Sequence, residues 1–160
     1  MKDDPMPAAE ALANLREHLS RMTALTAGLP PARLEAPAGP GEWSANEILA
    51  HLRACADVWG GNIAKILAAD HPKFAGTNPR TWMRKTDYPQ WKFEDAFRAF
   101  TVQREALLTT LAGLVPADWE RSATVTAYGQ PNERTLRSYA AQLAEHERVH
   151  VTQMERALAG

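Results

Sequence analysis

Residues 144–160 read AEHERVHVTQMERALAG, and within them His146-Glu147-Arg148-Val149-His150 spells H-E-x-x-H. On a helix that spacing sets two imidazoles one turn apart on one face, with a carboxylate beside them. At about 100° per residue, Leu136, Tyr139, Leu143, Met154 and Leu158 share one arc of a helix expected over about Arg134 to Leu158. Arg137, Glu145, Arg148 and Glu155 point away from it. His146 and His150 fall on the flank of the apolar arc, in line with Gln142 and Gln153. The helix therefore carries a polar stripe beside its buried face, and buried polar groups need partners.

Working outward, three more amphipathic segments share this period. The first runs from about Ala8 to Ala27, where Leu12, Leu15, Leu19, Met22 and Leu25 recur at spacings of three and four, and Gly28 and Pro30 stop it. The second opens at EWSANEILAHL, residues 42–52. There Ser44 and Glu47 form a capping box, and Trp43 and Ile48 are placed for a hydrophobic staple. It is expected to reach about Ala69, with Gly60-Gly61 as a weak point. The third spans roughly Phe93 to Gly113. Four such helices without a convincing sheet predict an all-α fold, a four-helix bundle forming one domain over residues 1–160. Two connections are long, so simple up-down-up-down order is not implied.

Residues 70–92 have no helical period and are expected to be a long irregular connection bearing Trp82, Tyr88, Trp91, Arg80, Arg84 and Lys85. Structureless connections of that length are often functional. This one reads as an excursion packed by its own aromatics, or as a lid or wall for a ligand. Residues 121–133, RSATVTAYGQPNE, could hold a short extended piece before a turn at Gly129-Gln130-Pro131.

Composition narrows the function classes. A net charge of -1 offers no broad basic field, so no nucleic acid partner is expected. Cys55 is the sole cysteine, which excludes an intramolecular disulfide and a cysteine-based zinc finger. The start MKDDPMPAAE lacks the apolar run of a secretory signal, and no stretch approaches the roughly 20 apolar residues of a membrane span. The expectation is a cytoplasmic protein with no membrane partner.

A catalytic zinc takes three protein ligands. Only ten residues follow His150, too few for the downstream ligand of the familiar zinc proteases. A third ligand is expected from upstream, and His51, near Ile48, Cys55 and Val58 on the second helix, is the strongest candidate. An imidazole on such an apolar face is costly unless hydrogen-bonded or metallated. His18, on a short stretch read as facing solvent, and His71, in the loop, are weaker. Zinc and nickel both suit imidazole. Glu147 is a candidate general base for a metal-bound water, or else a partner that orients a ligand or neighbouring helix. Glu47 is explained by its cap. Cys55 reads as a small buried residue, with a soft extra ligand as the alternative.

WSANEILAHL followed about 95 residues later by HERVHVTQ resembles the DinB superfamily. The resemblance covers nearly the whole chain. It implies a four-helix bundle of that type, with His51, His146 and His150 binding one divalent metal at one end. Characterised members include transferases and isomerases that use low-molecular-weight thiols; others are regarded as metal-dependent hydrolases. The resemblance thus implies a metal-dependent thiol S-transferase acting on a small-molecule substrate, with a thiol cosubstrate. The alternatives are a metal-dependent hydrolase and a non-enzymatic metal-binding stress protein. Arg80, Arg84 and Lys85 are candidates for holding cosubstrate carboxylates. A homodimer is expected both from the broad apolar faces and from the family.

Overall fold

The computed structural model describes residues 6–159; the first five residues of the segment read for a leader, and Gly160, lie outside the described residues. Four long helices form the bundle: α1 (Ala8–Thr26), α3 (Ala45–Ala68), α5 (Phe93–Ala112) and α7 (Leu136–Leu158). Short helices α2 (Pro31–Glu35), α4 (Pro79–Lys85) and α6 (Pro116–Trp119) lie in the connections, with a 3-10 turn at Tyr88–Gln90. The bundle was legible because each long helix has a stripe to bury. Leu15 and Met22 of α1, Ile48, Leu52 and Ile63 of α3, Phe100 and Leu111 of α5, and Leu143, Val151 and Met154 of α7 are all buried.

The capping box at the start of α3 is present: the Ser44 hydroxyl accepts from Glu47 N–H, and the Glu47 carboxylate accepts from Ser44 N–H. Gly60 and Gly61 do not break α3, which runs on to Ala68. At the end of α1, Gly28 takes φ +72°, a left-handed value that glycine adopts freely.

Helix directions explain the long connections. His18 pairs with Glu147 and Arg21 with Glu155, so α1 and α7 run the same way. Asn46 meets Trp91 and Asp57 meets Gln103, so α3 and α5 also run together. Trp43, just before α3, meets His150 and Trp59 meets His146, so α3 runs antiparallel to α7. After α3, 24 residues long, the chain must return about 36 Å before α5 can start. The segment 69–92 does this, and a two-residue loop could not. Around the bundle, α7 packs chiefly on α1 and α3, and α5 on the same two helices.

The connections are more ordered than the sequence implied. A three-stranded sheet joins β1 (Lys73–Ala75), β2 (Ser122–Ala127) and β3 (Gln130–Thr135), with β1 parallel and β3 antiparallel to β2. The all-α expectation is corrected to a helix bundle carrying a small sheet. The reason is that β1 is three residues long and finds its partner about fifty residues away, so no local alternation marks it. Tyr128 and Gly129 both have positive φ and link the paired Ala127 and Gln130, as in a two-residue type I′ hairpin. Tyr128 rather than Pro131 thus shares the turn with Gly129. Gly76 continues the β1 pairing through its N–H to Thr126 O, 2.8 Å; a Cβ there would lie 3.3 Å from Val125 Cγ1.

The loop 70–92 is tied down by Asp57 of α3. Its carboxylate accepts from Trp82 Nε1 (3.0 Å), the Tyr88 hydroxyl and Gln103 Nε2 (2.7 Å). Beside it the buried Arg53 guanidinium lies 3.7 Å from the Tyr88 ring centroid and 4.4 Å from that of Trp91. The loop's aromatics therefore pack on α3 around one carboxylate and one guanidinium.

Candidate metal centre

The antiparallel pairing of α3 and α7 brings two stripes face to face. From α3 come His51, Cys55, Trp59 and Asn62; from α7 come His150, His146, Gln142 and Tyr139. Each set repeats every three or four residues, as one helix face requires. The three histidines converge. Their ring centroids are 5.1 Å (His51–His146), 4.7 Å (His51–His150) and 4.5 Å (His146–His150) apart. Trp43, next to the cap of α3, stacks on His150 and tilts against His51, while Trp59 meets His146 edge-on.

His51 Nε2 and His146 Nε2 are 2.9 Å apart, and Cys55 Sγ is 3.6 Å from His51 Nε2. One ligand atom from each of His51, Cys55 and His146 lies within 4.8 Å of the others. Two bare imidazole nitrogens at such a separation need a proton or a cation between them. Nitrogens bound to one divalent ion at about 2.0–2.1 Å would stand about 3.3 Å apart at a tetrahedral angle and about 2.9 Å apart at a right angle, so the spacing is at the short end of what one ion requires. His150 Nδ1 bonds Gln153 Oε1 at 2.8 Å. An amide oxygen only accepts, so the ring proton sits on Nδ1 and Nε2 carries the lone pair, a pattern common in metal-binding histidines. His51 Nδ1 is buried without a protein partner.

Burial favours the neutral form of His51 and His146. Burial, then the charges of His150, His146 and Arg80, lower His51 from 6.5 to about 4. Burial and His150 also lower His146, against an opposing pull from Glu147. Neutral imidazoles are the form that binds metals. Burial pushes the Cys55 thiol up to about 12, so in the metal-free protein it is a neutral group in the core.

The family follows from the chain as a whole. A family model for the DinB superfamily matches residues 14–154. The chain belongs to the DinB superfamily. Among solved structures its fold is similar to that of YfiT from Bacillus subtilis, with a TM-score of 0.75 and 13% identity over 98% of this chain and 90% of that one. YfiT is described as a probable metal-dependent hydrolase with an unusual four-helix bundle topology. No curated protein matches by sequence.

In this DinB-superfamily chain the residues beneath the histidines were only partly foreseen. Glu147 does face the core, where it is 0% exposed. Its Oε1 accepts from Arg104 Nη1 at 2.7 Å and its Oε2 from Arg104 Nη2. His18 Nδ1 lies 3.3 Å from Oε1. Burial alone would raise the Glu147 carboxyl; the charge and hydrogen bonds of Arg104, with His18, outweigh it and hold the group below its ordinary range. His18 is buried, not solvent-facing as expected. Its place between Leu15 and Met22 on the α1 stripe was the missed signal. Arg104 sits in the same way between Phe100 and Leu111 on α5, a buried cation demanding an anion. His71 lies apart on the sheet, bonding Ser122 and Thr124 hydroxyls at 3.0 Å. Arg80 approaches the site, its guanidinium 5.7 Å from the Trp43 ring centroid. Arg84 instead meets Thr81 of its own helix. No helix among the described residues is long and apolar enough to cross a membrane.

Proposed function

We propose that His51, His146 and His150 bind one zinc or nickel ion on the α3–α7 seam, and that the protein transfers a low-molecular-weight thiol to an electrophilic small molecule. The observation that carries this reading is that every carboxylate on the two histidine-bearing helices is already engaged. Glu47 caps α3, Asp57 holds the loop, Glu145 pairs with Arg148, Glu155 with Arg21, and Glu147 with Arg104. A reaction that needs a free carboxylate base beside the histidines is poorly served. A thiol brings its own nucleophile. A divalent ion supplies a Lewis-acid centre at which a thiol ionises near neutral pH.

The protein's side chains do the rest. Trp43 and Trp59 wall the imidazoles on two sides, and Gln153 holds the His150 tautomer. Arg80 adds positive charge at the mouth, favouring an anionic nucleophile. In the transfer the thiol proton leaves to solvent, a carbon–sulfur bond forms, and the leaving group departs with its electron pair. In this reading Glu147 anchors α7 so that both its histidines face His51.

The test is thiol consumption with an aryl halide electrophile, using metal-free and zinc- or nickel-loaded protein beside His146→Ala. Metal-dependent conjugate formation, lost in the variant, supports the reading. Ester or amide hydrolysis by loaded protein without thiol conjugation would favour a hydrolase, the activity ascribed to YfiT.

A further inference from the structure

Beyond the histidines the α3–α7 seam opens into a cavity of about 400 Å³, within the size range of small-molecule sites. Trp59 and Gln142 belong to its lining, and each adjoins His146: Trp59 by ring contact, Gln142 by one helical turn. The outer wall is the part of the fold the sequence concealed, Val125 of β2 and Thr77, Asn78, Pro79 and Thr81 of the returning loop. The floor is polar. Tyr139 and the buried Asn62 line it.

Arg134, at the end of β3, reaches into this lining. Its Nε donates to Ser138 Oγ at 3.1 Å and its Nη2 to Gln142 Oε1 at 2.7 Å, with the guanidinium 4.1 Å from the Tyr139 ring centroid. These partners are all neutral. The adjacent Glu133 is no counter-ion: alternation along the strand sends it to the other face, where it meets Thr124 and His71. A guanidinium has five donors, and two are used here. The Nη1–Nη2 edge retains free donors, which suits end-on capture of a carboxylate. Gln142 lies about 6 Å along the helix axis from His146, so a molecule a few bonds long can bridge Arg134 and the imidazoles.

We infer that this cavity binds a carboxylate-bearing small molecule, with its acid group on Arg134 and its other end directed at His146. The carboxylate subsite stands on its own geometry. Only the assignment of a thiol to the far end rests on the thiol-transfer reading.

The test is an NMR titration of 3-mercaptopropionate against 3-mercapto-1-propanol, into metal-free and zinc-loaded protein. The acid is expected to bind at least about tenfold more tightly than the alcohol in both forms, the worth of one charged hydrogen-bonded contact. Arg134→Gln should bring the ratio near one with zinc stoichiometry unchanged, and Arg134→Lys should restore part of it. Thr81→Trp, which narrows the cavity from its rim, should weaken both ligands alike. A ratio near one in the unaltered protein, or a preference that survives Arg134→Gln, overturns the inference. Failure to bind zinc would instead strike the proposed function, while the metal-free titration still decides the carboxylate subsite.

Discussion

Glu147 and Arg104 form a fully buried ion pair in the middle of the bundle, with His18 as a third member. They separate two apolar clusters, one around Leu15, Leu111 and Leu143 and the other around Met22, Phe100 and Val151. Removing one partner strands the other charge in the core. Arg104→Met should therefore destabilise the protein by about 3–5 kcal/mol, and Glu147→Leu by a similar amount. In a domain of this size that is a fall in Tm of roughly 6–20 °C. The paired change Arg104→Met with Glu147→Leu leaves neither charge behind. It leaves His18 Nδ1 without its partner, a cost of about 1 kcal/mol. The double variant should thus lie within about 2 kcal/mol of the original, far from the sum of the single changes. Urea unfolding of the metal-free proteins measures all three. Single variants that lose under about 1 kcal/mol, or a double variant equal to the sum, would show that the two charges do not depend on each other in the core. A Glu147→Gln protein with full stability and full metal, but no activity, would return Glu147 to the role of general base.

Two further outcomes follow from the same contacts. Asp57→Ala removes an acceptor shared by Trp82, Tyr88 and Gln103; it should cost about 2–4 kcal/mol and speed hydrogen exchange over residues 79–91, and unchanged exchange there would contradict the anchoring. His51 is held at about 4 in the fold against 6.5 for an ordinary histidine, so the unfolded chain takes up that proton first as pH falls. Stability of the metal-free protein should be full above about pH 6.5 and decline toward about pH 4. Glu147, also held low, adds its own loss at the acid end. A stability that rises between about pH 7 and pH 5 in urea melts would contradict this sign.

Periodicity exposed the helices because each buries a continuous stripe, and the start of α3 was marked by its own capping residues. The meeting of His51 with the His146–His150 pair was legible for the same reason: one turn of α7 and one position of α3 fixed which faces carried imidazoles. What escaped was non-local or was polar within an apolar pattern. The strand Lys73–Ala75 is defined only by its partner at Thr124–Thr126. His18 and Arg104 occupy apolar-stripe positions, yet each makes sense only once Glu147 on a third helix is set against them. Asp57 was unremarkable in sequence because two of its three partners, Trp82 and Tyr88, come from a loop that looked structureless.

The proposed function requires the converging imidazoles to hold a metal. Metal content by mass spectrometry, on untagged protein offered zinc or nickel, tests it most directly, beside His51→Ala, His146→Ala and His150→Ala. About one ion per chain is expected, lost or sharply weakened in each variant. No bound ion in the unaltered protein, or full occupancy in the His51 variant, would contradict it.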